Sequence, residues 1–515
     1  MKHATAHTIL PPHVPHSRSH EGRFGRLFGR GFSKWQPPGV DDDARLKEIA
    51  SYARTQMFGS APPPDSATPV GYTYFGQFVD HDITFDPQSS LSRKNDPEGL
   101  QNFRSPRFDP DSVYGRGPAD QPYLYETTRL ANGFPGFLKT GRGEATTKPE
   151  PDLQRNADGV AIIGDPRNDE NVIVAQLQLA FCLFHNNVLD ALRAAGGAGA
   201  LSGRQLFDEA QRITTWIYQY VVWNDFVRRT VDPAIHAGAI SISPPAGGLP
   251  ATVKYGLKDV YDWSVNPFMP VEFSVAAYRF GHSMIRAEYQ LNISKQGGQI
   301  DPDLGLPIFA PAGSGVPDLR GGHPLRPQHS LQWDWYFDFA SSRGPFPQKA
   351  HKIDRHLSQS VFAIPDGPTD TNPLAELNIR RGWRMELPPA TEVARALNIE
   401  PSPIDDPMEE SLWVYILKEA EDPNGSNGEH LGPVGSTLVA AVFSGLLRGD
   451  PQSYINRDPT WTPDREMIDG KPLFEALGSP RASTELNPPG DWQMIDIIRA
   501  AGLPETGSQI RALLE

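Results

Sequence analysis

Apolar residues along this chain recur mostly at helical spacing, and windows of strict alternation are few. Residues 41–58 (DDDARLKEIASYARTQMF) predict a helix with an acidic first turn, favourable at the positive end of its dipole. Residues 71–81 predict a short helix, apolar at Tyr74, Phe75, Phe78 and Val79. On that helix Gln77, Asp80 and His81 stand at i, i+3 and i+4 and share one face. From Glu170 a buried-helix pattern runs until Gly196 and Gly197 stop it. Residues 203–229 predict a long amphipathic helix, and 411–421 and 434–447 two more core helices. Pro270 opens VEFSVAAYRFGHSMIRAEY, which predicts an apolar helix with His282 at its middle and Arg279 one turn before. The segment 466–502 is less regular and ends in the helix-like WQMIDIIRAAG. The pattern predicts a mainly α fold with long Pro-rich loops and little β.

Composition narrows this picture. The 51 prolines among 515 residues are about twice average usage and account for long irregular connections. No linker or internal repeat interrupts the chain after about residue 60, so residues 37–515 read as one large domain. Residues 1–36, rich in His, Arg, Gly and Pro, read as a flexible N-terminal arm. A net charge of −14 argues against a nucleic-acid partner, which requires a basic face. The single cysteine, Cys182, excludes an internal disulfide framework. No uninterrupted apolar run reaches the roughly 18 residues of a membrane span, and Ser436–Leu447 reads as a buried helix. The N-terminus has no apolar leader, which predicts cytoplasmic residence or a non-classical route of export.

Five places carry candidate chemistry. Three polar side chains on one face of the 71–81 helix are too costly to bury without partners and suit a cofactor pocket. In SPRFDPDSVYG (105–115), Ser105, the Arg107 carbonyl, Asp109 and Asp111 give an oxygen-rich spacing suited to calcium, although an Asp-Pro surface turn reads the same way. Arg167 precedes a helix on the unfavourable side of its dipole, which suggests work on a ligand. His282 and Arg279 on one helix face suit an iron ligand with a propionate partner, against the plainer reading of a core histidine. In LAELNIRRGW (374–383), Asn378 and Arg381 follow a Pro-rich connection.

The string Gly-Gln-x-x-Asp-His-Asp at 76–82 resembles the distal helix of the animal haem peroxidase family, the peroxidase–cyclooxygenase superfamily that includes myeloperoxidase and lactoperoxidase. The other motifs follow in the family's order, from about residue 70 to residue 385. Gly-Asp-x-Arg-x-x-Glu matches at 164–170 and Leu-Asn-x-x-Arg at 377–381, and Tyr-Arg-Phe-Gly-His at 278–282 resembles the family's common Phe-Arg-Tyr-Gly-His. The calcium loop ends in Val113-Tyr114-Gly115, with Ser105, Arg107 and Asp111 departing from the usual residues.

The resemblance implies haem b held by His282, with Asn378 behind that ring and Arg279 and Arg381 at the propionates. It implies His81 as acid–base group, Arg167 stabilising charge, and Gln77 orienting a small anion or water. It implies calcium bound by Asp82, Ser105, the Arg107 carbonyl, Asp109 and Asp111. It also implies ester links from Asp80 and Glu170 to haem, without the sulfur link of myeloperoxidase because Asn171 replaces methionine. The expected activity is oxidation of halides, thiocyanate or phenols by hydrogen peroxide. A fatty-acid dioxygenase on the same fold is the alternative, disfavoured because Arg279 stands three residues before His282, where those enzymes carry tyrosine. A histidine-metal hydrolase lacks ligands at close spacing, and an adhesion protein would be expected to lose His81 and Arg167.

Overall fold

The structure, a computed structural model, describes residues 22–29, 31–86, 100–143, 151–196, 201–262, 268–292, 305–310, 314–326, 329–339, 347–364, 373–479, 492–506 and 509. The principal helices are α1 (Asp42–Gln56), α2 (Gly71–Ile83), α3 (Val172–Ala194), α4 (Gly203–Val221), α5 (Leu374–Arg384), α6 (Leu412–Glu421), α7 (Pro433–Gly449) and α8 (Met494–Ala500). Strand pairing among the described residues is confined to two-stranded ribbons, so the fold is mainly α.

Local chemistry sets the helix starts. Asp41 accepts from the Ala44 N–H ahead of α1, and Asn171 accepts from Val174 N–H ahead of α3. Ser202 and Gln205 form a capping box on α4, and Pro433 opens α7. Helix α3 is long and apolar enough to cross a membrane by composition, but it is mostly buried inside the fold and serves as a core helix. It packs against α2, α4 and α8, and the Asn187 amide donates to the Ala500 carbonyl at 2.7 Å.

Helix α4 continues into a π-helical turn, Val222–Val227, which turns Asp225 fully inward. Asp225 accepts from the Tyr72 hydroxyl at 2.8 Å, Arg229 Nε at 2.7 Å and Met494 N–H at 3.0 Å, joining α2, α4 and α8. Gly76 lets α2 approach that turn: a Cβ there would lie 2.9 Å from the Phe226 ring.

Two expectations change. The stretch after Pro270 is not one regular helix: Glu272–Ala276 is π-helical and Ala277–His282 is 3₁₀, with His282 its last residue rather than its middle. Trp413 Nε1 takes the Arg279 carbonyl at 3.1 Å, and Arg279 Nε takes the Ser274 carbonyl, so those oxygens bond side chains. The 3₁₀ pitch eclipses i and i+3, which sets Arg279 directly over His282. The N-terminal arm is also shorter than 1–36. From Gly22 onward the chain is packed, with Phe24, Phe28 and Trp35 buried, while residues 1–21 lie outside the described residues. Glu272 accepts from Leu27 N–H at 3.0 Å, and Arg26 donates to the Met385 and Glu386 carbonyls. A few apolar anchors and buried hydrogen bonds outweigh the polar composition of this segment.

His185, fully buried on α3, contacts the Tyr114 hydroxyl through Nδ1 and the Gly136 carbonyl through Nε2, each at 3.0 Å. Burial pushes its pKa down to about 4. Above pH 6.5 the ring is neutral in folded and unfolded chains alike. Between about 6.5 and 4 only the unfolded chain takes the proton, so acidification destabilises the fold by about 1.4 kcal/mol per pH unit from this residue. Denaturant titrations at pH 7 and pH 5 should therefore show a loss roughly 2 kcal/mol smaller in His185→Gln than in the parent; equal losses would refute the assignment.

Candidate active site

Gln77, Asp80, His81, Glu170, Arg279 and His282 line one cavity of about 910 Å³, near the upper end of the roughly 300–1,000 Å³ of ligand pockets. The polar face of α2 supplies the first three. The Pro166–Asp169 3₁₀ turn leads to Glu170, and the Ala277–His282 turn brings Arg279 and His282 from the other side.

The two imidazoles are fixed by different amides. His81 Nδ1 donates to Asn168 Oδ1 at 2.7 Å. The Asn168 amide is oriented by its own donation to Gln178 Oε1 at 2.8 Å, and Gln178 donates in turn to the Ser112 carbonyl at 2.9 Å. That chain settles the tautomer: the proton sits on Nδ1 and leaves the Nε2 lone pair free. Burial, reinforced by the Arg167 charge, holds the His81 pKa well below the ordinary range, so the ring is neutral near pH 7. His282 Nδ1 accepts from the Asn378 amide nitrogen at 2.7 Å, while the Asn378 oxygen accepts from Arg279, so the neutral ring carries its proton on Nε2. Burial and the Arg279 charge push the His282 pKa down to about 3.

Around His81, Glu170 Oε1 lies 3.5 Å from Nε2 and accepts from Gln77, whose own oxygen accepts from Asn171 at 3.1 Å. Asp80 accepts from the Thr84 hydroxyl at 2.9 Å. Burial raises both carboxyls above their usual range, opposed by Arg167 for each and by Arg279 for Asp80. For Asp80 both arginines come from distant sequence, whereas Arg167 stands three residues before Glu170.

Arg167 is not among the side chains lining the cavity. Its guanidinium donates to the His81 carbonyl at 3.0 Å, the Thr84 carbonyl at 2.7 Å and Asp165 at 2.7 Å, and it stacks over Phe85. Placed before α3 it opposes that helix dipole, but it caps the negative end of α2, where a cation is favourable. Arg381, 4.0 Å from Asp86, also lies outside the lining, whereas Arg279 is in it and donates to Asn378 Oδ1 at 3.3 Å. Tyr278, one residue before Arg279, also lines the cavity and donates to the Gly76 carbonyl at 3.1 Å.

The acidic loop is buried under α2. Asp82 accepts from Asp111 N–H and the Tyr218 hydroxyl, each at 3.0 Å, and Asp109 accepts from Ser105 at 2.7 Å. Arg104, missed in the sequence, meets Asp111 at 2.5 Å and pairs with Asp165, while Arg107 Nη1 lies 3.7 Å from Asp450. Asp82, Asp109 and Asp111 repel one another, and burial with that repulsion pushes Asp109 up to about 7. Asp109 Oδ1 is buried without a hydrogen-bond partner. Among the described residues no three acidic or histidine side chains converge at metal-ligand spacing, because these internal donors already occupy Asp82 and one oxygen of Asp111. The Asn168–Gln178 chain was also missed. Amides carry no motif, and only the fold brings them to His81.

Residues 92–311 match the family described as animal haem peroxidase. The chain is 25% identical over 310 residues to chorion peroxidase of Drosophila melanogaster, covering 56% of this chain and 34% of that protein. It is 27% identical over 490 residues to a peroxidase-like protein of Margaritifera margaritifera, covering 79% and 57%. The chain thus spans about a third to three-fifths of these relatives' lengths. In fold it is similar to peroxidase A of Dictyostelium discoideum, with TM-score 0.56, 16% identity and coverage of 88% and 92%. It is also similar to a fatty acid alpha-dioxygenase of Oryza sativa, with TM-score 0.54, 18% identity and coverage of 80% and 74%.

Asn168→Leu removes the acceptor that holds the His81 Nδ1 proton. Nitrogen NMR of histidine-labelled protein should report the Nδ1–H tautomer in the parent and a mixture in the variant. A parent ring protonated on Nε2 would overturn the geometry described.

Proposed function

We propose that the chain is a member of the animal haem peroxidase family and a haem-dependent enzyme using hydrogen peroxide to oxidise phenolic reductants and small anions such as halides or thiocyanate. The observation that carries this reading is a single cavity lined by two neutral imidazoles, each fixed through Nδ1. The residues fit haem once the Asn378 amide turns its oxygen to a His282 Nδ1–H: Nε2 would then be free for iron, and Arg279 would offer a cation to a propionate. When bound, haem would supply the electrons that reduce peroxide and pass the oxidising equivalents to the reductant.

The chain's own part follows from the geometry. His81 Nε2, unprotonated at neutral pH, takes a proton from peroxide and returns it to the departing oxygen. Gln77, held between Asn171 and Glu170, orients water or a small anion beside it. Arg167 fixes the end of α2 and supplies positive potential from behind His81 rather than by contact. Asn378, a neutral amide, leaves His282 less anionic than a carboxylate partner would.

Reconstitution with haem tests the reading. His282→Ala should lose the histidine-ligated absorption spectrum. His81→Ala should keep haem and react with peroxide roughly 10²–10⁴-fold more slowly, with Arg167→Ala less affected. Parent-like rates in His81→Ala would sink the mechanism.

Two finer assignments belong to the same proposal. Asp80 and Glu170 form esters with haem, supported by their place in the cavity and their raised pKa, and Asn171 excludes a sulfur link. Calcium binds at Asp82, Ser105, the Arg107 carbonyl, Asp109 and Asp111. Support comes from the unpartnered Asp109 oxygen and from five carboxylates (Asp82, Asp109, Asp111, Asp165 and Asp450) facing three guanidinium groups (Arg104, Arg107 and Arg167). Mass spectrometry after peroxide treatment should find haem on both carboxylates, and metal analysis should find calcium that Asp82→Ala loses. Freely extractable haem rules out the first, and calcium-free protein the second.

Tyr278 in the cavity wall favours a second reading, a fatty-acid dioxygenase, although Arg279 rather than a tyrosine stands three residues before His282. Oxygen uptake on a long-chain fatty acid, abolished in Tyr278→Phe, would replace the first reading with this one.

A further inference from the structure

The same cavity is lined by Ile308 and Phe309 and by residues between 316 and 326, with Val316, 51% exposed, at its rim. The charged and imidazole side chains there are Asp318, Arg320, His323 and Arg326. Arg320 is bonded to Asp318 at 2.8 Å, whereas the Arg326 guanidinium, also in the lining, has no hydrogen bond or ion pair among the described residues. His323 donates from Nδ1 to the Pro324 carbonyl at 2.9 Å, leaving Nε2 open. Behind it His329 is fully buried, with neither ring nitrogen hydrogen-bonded and its ring centroid 5.4 Å from that of His323. Burial, with Arg326 nearby, pushes its pKa down to about 4. Asp318, the nearby carboxylate, is already engaged by Arg320 and the Ala310 N–H. Across the cavity the Thr73 hydroxyl, one turn before Gln77 on α2, is buried without a partner.

We propose that this outer end is a subsite for an aromatic carboxylate, its ring against Ile308, Phe309 and Val316 and its carboxylate on Arg326. A guanidinium beside an apolar wall suits a ring carrying an anion, and the Thr73 hydroxyl offers the ligand a further hydrogen bond. The substrate class rests on the peroxidase reading above: a phenolic acid is an aromatic carboxylate that can give up an electron. Two such phenols each lose one electron and the phenolic proton, and one hydrogen peroxide takes two of each to become two waters. The carboxylate is untouched and serves only to hold the ring.

The test uses haem-loaded protein and three phenols of one size: 3-(4-hydroxyphenyl)propionate, its amide, and tyramine. The acid should show a KM about tenfold or more below that of the amide, as a charged hydrogen bond provides, with tyramine poorer still. Arg326→Gln should collapse the acid-to-amide ratio, and Arg326→Glu should invert the order in favour of tyramine. A ratio near one in the parent, or a ratio that survives in Arg326→Gln, overturns the subsite. If none of the three is oxidised, the peroxidase reading fails by itself, and calorimetric binding of 3-phenylpropionate decides the subsite separately. A dissociation constant about tenfold weaker in Arg326→Gln supports it, and equal constants overturn it.

Discussion

A single buried carboxylate holds the approach to this site together. Asp165 is fully buried, accepts from the Arg167 backbone N–H and guanidinium, and pairs with Arg104. Through Arg167 it reaches the last carbonyls of α2, and through Arg104 it reaches Asp111 in the acidic loop. Without it, two guanidinium groups would share the interior with no common counter-charge, a condition far more costly than a well-packed apolar core. The position of His81 therefore depends on an ion-pair network that no single helix contains.

The same dependence explains what was legible in the sequence. Helical periodicity put Gln77, Asp80 and His81 on one face, and they line one cavity together, because i, i+3 and i+4 neighbours are set by local geometry alone. The main helices were legible for the same reason, with α3 starting two residues later than its pattern because Asn171 caps it. The target of Arg167 was not legible, since it depends on which helix end lies nearby in space. Nor was the Asn168–Gln178 relay, a contact between a turn and a helix whose residues carry no special pattern. The irregular path into His282 escaped because an apolar run at helical spacing does not separate α, π and 3₁₀ pitch.

Composition misled at the N-terminus for a related reason. A segment rich in Arg and Gly reads as solvated on average, yet Phe24, Phe28 and Trp35 are buried in the core and Leu27 packs against it. Aromatic residues scattered through an otherwise polar arm were the signal available.

That docked segment also bears on the order in which the protein assembles. Arg26 bonds carbonyls some 360 positions later in the chain, and Leu27 bonds a carboxylate 245 positions later. During synthesis residues 26 and 27 must wait for residues 272 and 385–386 before they find their partners. Contacts so distant along the chain slow folding, because loop closure must precede their reward. This segment thus acts as a late clasp on the fold.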